Sequence, residues 1–314
     1  MLRRVSDNLT AHWTYLDHYR SRRIRSPDEA DTLTRLTHRV AILRLTGHLF
    51  FGNSMRLAQL ADELHSDVVA VVVDVSQVHD VDPSGIDALD WLLRVLTERD
   101  LMVVVSGLKR TRSTDLRHAL ENKAKVNYLI DMDHGLEACE DRVLIDAAVV
   151  PLISRPLEKN HLLRDLTAEE VTGVLRLGKT REVGKGDILF RKDTLADGVW
   201  LLENGHVSIL SGGMGESTRL ATVGPGQFVG EMGFIDGRTR SATAQADSPV
   251  RAMLLDNQSI AALVDRYPAA ALKITRNIAR ELSYRVRSSS ALLSDESAEA
   301  DSVWSNSALA FSRF

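Results

Sequence analysis

The stretch GPGQFVGEMGFIDGRTRSATA, Gly224 to Ala244, sets a glycine-rich turn carrying the acid Glu231 ahead of an arginine-serine pair. A phosphate diester is held by backbone N–H groups, which glycines can aim at it from the first turn of a short helix, and by a fixed cation that completes its neutralisation. Gly230 to Phe234 supplies the first and Arg240 the second. Glu231 stands inside that turn, where a carboxylate repels phosphate unless it faces away and accepts hydrogen bonds from sugar hydroxyls. The combination points to a nucleotide rather than free phosphate. The plainer alternative is an ordinary Glu231–Arg240 ion pair, with glycines that merely make turns.

Outward from this cassette the chain is β-rich. From Thr180, short strands punctuated by glycine (REVGKGDILFRK, DGVWLLENGHVSIL, TRLATVGPGQ, SATAQAD, VRAMLLD) predict an all-β barrel or roll. Thr167 with Glu170 has capping-box spacing and starts a helix before it. Two helices follow, NQSIAALVDRY and PAAALKITRNIARELSYRVR, the second opened by Pro268. Beyond Arg287 a serine-, alanine- and acid-rich stretch is expected to be a mobile tail.

This order of helix, glycine-punctuated barrel and two helices resembles the cyclic-nucleotide-binding domain of catabolite activator proteins, cyclic-nucleotide-dependent kinases and cyclic-nucleotide-gated channels, over about Leu162 to Arg287. The most specific marks are Phe228, Gly230 and Glu231, then Arg240, Ser241 and Ala242. The resemblance implies that the backbone of Gly230, Glu231 and Met232 meets a cyclic phosphate. It further implies that Glu231 takes the ribose 2′-hydroxyl and that Arg240 and Ser241 complete the phosphate site. Cyclic AMP and cyclic GMP both remain open, because a hydroxyl such as that of Ser241 can also reach a guanine amino group in some relatives. In the last helix Ile274, Ile278 and Leu282 lie along one stripe, so Ile278 and Leu282 are candidates for a lid over the base, or for packing against the barrel or a second copy.

Before the barrel the pattern changes. VAILRLTG, VVAVVVDV and LMVVVSG are strands, Val68 to Val73 and Leu101 to Val105 apolar enough for the centre of a sheet, and amphipathic helices alternate with them. This is an α/β layered domain. VVVDVSQVHDVDPSGIDAL together with LTGHLFFGNSMRL resembles the STAS family, named for sulfate transporters and anti-sigma-factor antagonists, over about Arg39 to Ile145. The antagonists carry a phosphorylated serine directly after the aspartate. Here Pro83 follows Asp82, and Ser84 comes one place later. Ser84, with Asp87 three residues on, is expected to cap a helix, the phosphosite being the alternative. LFFGN and the upstream RSRRIRSPDEA resemble more closely the cytoplasmic tail of bacterial SulP-type anion permeases, which makes a membrane permease a candidate partner. Arg20, Arg22, Arg23 and Arg25 would then be a segment facing anionic lipid, or else a solvated linker.

These observations divide the chain into a basic arm or linker over 1–30, a STAS-like domain over 31–149, a linker over 150–160, a cyclic-nucleotide-binding domain over 161–288 and a mobile tail over 289–314. The 314 residues, 44% hydrophobic, suffice for two cores. A net charge of −4 gives no general bias toward nucleic acid, and no helix-turn-helix pattern follows the last helix, so DNA binding is not expected. The single cysteine, Cys139, cannot form an internal disulfide, and neither a signal peptide nor a membrane helix is legible; a cytoplasmic protein, at most peripheral to the membrane, is expected. No metal-ligand spacing, nucleophile elbow, P-loop or paired-carboxylate signature is present, so neither a metal nor catalysis is expected. The resulting expectation is a regulatory module that binds a cyclic nucleotide and relays it through its STAS domain to a protein partner. A ligand-free scaffold or antagonist-like interaction protein is the alternative.

Overall fold

The computed structural model describes residues 9–17, 19–120, 126–149, 154–212 and 218–286. The chain divides into two compact units, the first containing Arg25–Pro151 and the second Leu152–Leu293 together with the three residues Arg22–Ile24. The tail expected over 289–314 lies outside the described residues, as do residues 150–153 of the expected linker.

The first unit is built on a six-stranded sheet. Strands β3 (Val40–Leu49), β4 (Ala70–Val81), β5 (Met102–Ser106) and β6 (Asn127–Leu129) run parallel in that order. Alternation sorts their side chains. Ala41, Leu43, Leu45, Val71, Val73 and Val105 pack with α2 (Phe51–Glu63), α3 (Pro83–Glu98) and α4 (Thr114–Leu120), whereas Val40, Ile42, Val72 and Val104 pack with α1 (Pro27–Arg35) and α5 (Met132–Asp146). Both faces are thus covered, as continuous apolar strands require.

Residues 9–35 are not the arm expected for the first thirty residues. β1 (Leu9–Thr10) and β2 (Trp13–Tyr15) pair antiparallel along the free edge of β3, with Trp13 opposite Leu43, and Trp13 Nε1 donates to Leu60 O at 2.7 Å. Strands this short carry too few residues for alternation to be read. The helix α1 that follows is held by a capping box between Ser26 and Glu29.

Within the arginine cluster, Arg25 is not available to a lipid surface. Arg25 is 6% exposed and Glu140 1% exposed; Arg25 Nε and Nη2 both donate to Glu140 Oε2, at 3.1 and 2.8 Å, and Nη1 to Asp141 at 2.5 Å. Burial works against the Arg25 charge, but Glu140 and Asp141 outweigh it and raise its pKa. Arg22 and Arg23 belong to the second unit, where Arg22 donates to the Arg219 carbonyl and Arg23 bridges in parallel to Thr222. Arg25 is thus spent on internal acids, one Arg22 nitrogen on a carbonyl, and the Arg23 guanidinium lies 2.8 Å from His206 Nε2. Among the described residues no helix is long and apolar enough to cross a membrane.

Ser84 is not the cap of α3. The N-cap is Asp82, whose carboxylate accepts from Gly85 N at 2.7 Å; Pro83 takes the first helical position, where its missing N–H costs nothing, and Ser84 follows inside the first turn. Asp82 wins because its backbone is extended and its side chain reaches the N3 amide.

The second unit opens with α6 (Ala168–Leu177), capped reciprocally by Thr167 and Glu170 as their spacing predicts. Two four-stranded antiparallel sheets follow, β11-β10-β13-β8 and β12-β9-β14-β7. Their strands are β7 (Lys179–Val183), β8 (Ile188–Phe190), β9 (Gly198–Asn204), β10 (Val207–Ser211), β11 (Thr218–Val223), β12 (Phe228–Val229), β13 (Thr243–Ala246) and β14 (Val250–Asp256). Trp200, Leu202, Val229, Ala252 and Leu254 of one sheet meet Val207, Val223, Ala244 and Ala246 of the other and fill the roll. The alternate residues of β9 and β14, among them Val199, Leu201, Met253 and Leu255, form a second core with α6, α8 (Asn257–Arg266) and a last helix, α9, over 268–286.

Candidate binding site

The cassette begins where β12 ends. Phe228 and Val229 pair with Leu201 and Trp200 of β9, and Gly230 then turns left-handed, at φ 87° and ψ 10°, to start the short helix α7 (Glu231–Asp236). A side chain at Gly230 would be strained by the left-handed backbone, and its Cβ would press on Arg240 Nη1. Gly237, also left-handed, ends α7, and the chain returns so that the Arg240 side chain lies under the turn. Arg240 Nη1 donates to Gly230 O at 2.6 Å and Nη2 to Gly198 O at 2.8 Å, Nη2 also pairs with Asp197, and the guanidinium carbon sits 4.2 Å from the Phe190 ring centroid. Arg240 is 2% exposed, and its Nε is buried with no hydrogen-bond partner among the described residues.

Glu231 does not pair with Arg240, so the simple rim ion pair is not what forms. Its carboxylate, in a residue 3% exposed, accepts from Arg285 Nη1 at 2.8 Å, and Arg285 Nη2 donates to Phe228 O at 2.9 Å. Arg285 is itself placed by Glu281, one turn earlier on α9, through Nε at 3.4 Å. Burial would push the Glu281 carboxyl up, but the hydrogen bond from His161 and the Arg285 charge prevail and hold it below the usual range. A train of polar and charged side chains therefore runs from His161 through Glu281 and Arg285 to Glu231.

The remaining predicted residues are placed less centrally. Met232 is half exposed, and Ser241, also exposed, has its Oγ 3.7 Å from Met232 Sδ. Ile278 is fully buried and Leu282 partly buried in the core between the helices and the outer face of β9 and β14. Neither belongs to the cluster inside the roll, so the suggested lid over a base is not formed by these two side chains; they pack helix against sheet. Asp197 and Arg285 escaped the sequence reading. They lie 43 residues before Arg240 and 54 after Glu231, and no local spacing connects them.

Comparison with known proteins bears on both units. The family model for the cyclic nucleotide-binding domain matches residues 180–267, and that for the STAS domain matches residues 32–120. A protein of Bradyrhizobium diazoefficiens named Glutaminase 2 is 28% identical over 292 residues, which are 91% of this chain and 46% of that protein. The Cyclic AMP receptor protein of Thermus thermophilus is 32% identical over 127 residues, 40% of this chain and 59% of that one. Among solved structures, the Thermus thermophilus Catabolite Activator Protein aligns with a TM-score of 0.39 at 29% identity, covering 44% of this chain and 63% of that one. The chain spans about half the length of the curated relatives it matches here.

One expectation is corrected by these matches. The lack of a catalytic signature led to the expectation of no enzyme, yet a protein named as an enzyme matches nearly the whole chain. Catalytic residues are legible only in the segment that carries them, and a domain that accompanies catalysis need contain none.

Proposed function

The chain joins a STAS domain to a cyclic nucleotide-binding domain, a pairing of regulatory modules, and from that premise we propose that it is the nucleotide-responsive part of an enzyme of the glutaminase kind. The observation that carries the ligand half of this reading is Arg240 Nε, a buried donor without an acceptor on a guanidinium otherwise held in place by Gly230 O, Gly198 O and Asp197. An unmade buried hydrogen bond costs about 1–3 kcal/mol, and a phosphate oxygen of cyclic AMP or cyclic GMP would recover it. The Glu231 carboxylate, with lone pairs beyond the one Arg285 uses, would accept from the ribose.

The response would leave through α9, because Arg285 ties that helix to both Glu231 and the Phe228 carbonyl. A ligand shifts such a contact only by binding its two arrangements with different affinity. The STAS domain would then act on a protein partner. The likeness of LFFGN and its flanks to permease tails favours, as a second reading, a membrane anion permease as that partner, with the chain on its cytoplasmic side.

Calorimetric titration with cyclic AMP and with cyclic GMP tests the ligand. Saturable binding is expected, weakened about tenfold to a hundredfold in Arg240→Gln, a variant whose fold is checked by circular dichroism. No heat of binding up to about 1 mM of either nucleotide would leave the ligand-free scaffold instead. Ammonia release from glutamine, measured in the natural protein with and without bound nucleotide, tests the enzyme; release that ignores an occupied site refutes the coupling. Co-fractionation with membranes is the result that would favour the permease.

A further inference from the structure

A second polar site lies in the first unit, away from the cassette. On the face of the sheet that packs against α5, Ile42, Val72 and Val104 are neighbours in register and fully buried. The next rung on that face is Arg44, Asp74 and Ser106, again in register. Three strands thus turn from apolar to polar at one level, beside the C-terminal end of β5, where open α/β sheets place their ligands. A cavity of about 320 Å³ opens there, at the small end of the roughly 300–1,000 Å³ typical of small-molecule sites.

The acids of this cavity are spent on its walls. Asp74, 4% exposed, accepts from Ser76 N at 3.2 Å, Ser76 Oγ at 3.0 Å and Ser106 Oγ at 3.2 Å. The backbone makes room for it: Gly107 is left-handed at φ 77°, and a Cβ there would lie 2.7 Å from Asp74 Oδ1 and 2.6 Å from Ser76 Cβ. Asp131 caps α5, accepting from His134 N at 3.0 Å, with His134 Nδ1 2.7 Å from the same oxygen.

The cations are not spent. Arg44 Nε is 3.9 Å from Asp74, its Nη2 meets only the thioether of Met132 at 3.2 Å, and its guanidinium lies 5.1 Å from the Tyr19 ring centroid. A thioether is a weak acceptor, so the planar fork keeps donors to offer. Arg110, exposed and also lining the cavity, donates its backbone N–H to Gly107 O at 2.8 Å, while its guanidinium makes no hydrogen bond or ion pair among the described residues. The start of the 15-residue helix α5 at Met132 adds its positive end to the same cavity.

From this arrangement we propose that the cavity binds a small oxyanion, a carboxylate or phosphate group of a metabolite, clamped between Arg44 and Arg110, with Ser76 and Gln77 bonding the rest of the molecule. Asp74 is a positioning residue that aims Arg44 and does not touch the anion. The site is independent of the cyclic-nucleotide reading, and the two can fail separately.

The test is a titration of the whole chain in low-chloride buffer with sodium phosphate and, separately, sodium succinate, followed by the amide ¹H–¹⁵N shifts of Ser76, Gly107 and Met132. Saturable shifts with at least one anion are expected, and which anion gives them identifies the headgroup. Arg110→Ala, which breaks no internal contact of the described residues, is expected to weaken binding about tenfold, Arg44→Gln by a similar factor, and Arg240→Gln not at all. The proposal is overturned if neither anion gives a saturable shift up to about 50 mM. It is equally overturned if Arg110→Ala binds as well as the parent, or if Arg240→Gln abolishes the shifts.

Discussion

Arg285 Nη1 stands 2.8 Å from Glu231 Oε1, so the last helix is bonded to the buried acid of the cassette. The two residues are 54 positions apart, and Glu231 is 3% exposed. A carboxylate so buried needs a cation.

Replacing that cation tests the contact. Arg285→Ala is expected to lower stability by about 1–3 kcal/mol, the cost of leaving a buried charged acceptor with fewer partners. Hydrogen exchange should quicken at the C-terminal end of α9 and be unchanged in α6. Unaltered melting and exchange would mean that the pair is not formed in solution.

Gly230→Ala should be worse than its size suggests. The residue is left-handed and its Cβ would meet Arg240 Nη1, so both backbone strain and displacement of the guanidinium apply. A loss of more than about 1 kcal/mol in denaturant unfolding is expected. Gly237→Ala, left-handed but with open space around its Cβ, should cost less.

The buried pair Arg25–Glu140 gives a contrasting case. Glu140→Gln leaves Arg25 only Asp141 as an anionic partner and is expected to cost about 3 kcal/mol or more. The double replacement Arg25→Met with Glu140→Gln should recover part of that loss, since it removes both desolvated charges and keeps an acceptor for the buried Ser21 donors. Urea midpoints of the three proteins, with m-values compared, decide it.

The capping of α3 separates two neighbouring residues. Asp82→Ala should cost about 1 kcal/mol, whereas Ser84→Ala should be near neutral, because only Asp82 accepts from a backbone amide of the first turn. Equal losses would return the capping role to Ser84.

Acid should weaken the junction of β14 and α8. Lys179 and the amide and hydroxyl of Ser259 hold the Asp256 carboxyl at about 2, below its ordinary 3.8. A depressed folded-state value means that its stabilisation is complete above about pH 4 and is lost as pH falls through about 2. Asp256→Asn, which keeps a capping oxygen, should therefore be less stable than the parent at neutral pH, by no more than about 1 kcal/mol after solvent screening, and equal to it near pH 1. A gap that persists at that pH would point to geometry rather than charge.

Much of the architecture is legible in local patterns. Val68 to Val73 and Leu101 to Val105 announce central strands because a strand covered on both faces must be apolar throughout. Thr167 and Glu170 announce α6 because a capping box is satisfied within four residues. The failures have the same logic in reverse. β1 and β2 are two and three residues long and exist only because the edge of β3 is there to pair with them. The arginines at 22 to 25 look like a solvated basic run until Glu140, Asp141 and the Arg219 carbonyl are brought beside them.

The cassette divides in the same way. That Gly230, Glu231 and Arg240 share one turn follows from order and spacing along the chain, since a glycine turn, a short helix and a return strand bring residues ten apart into contact whatever surrounds them. Which charge meets which does not follow from spacing. Arg240 goes to Asp197 and two carbonyls, Glu231 goes to Arg285, and Ile278 goes to the helical core, because pairing across 43 and 54 residues is set by how helices and sheets pack around a common interior. Local chemistry is written in neighbours, and electrostatic partnership is settled only when distant segments share the same few ångströms.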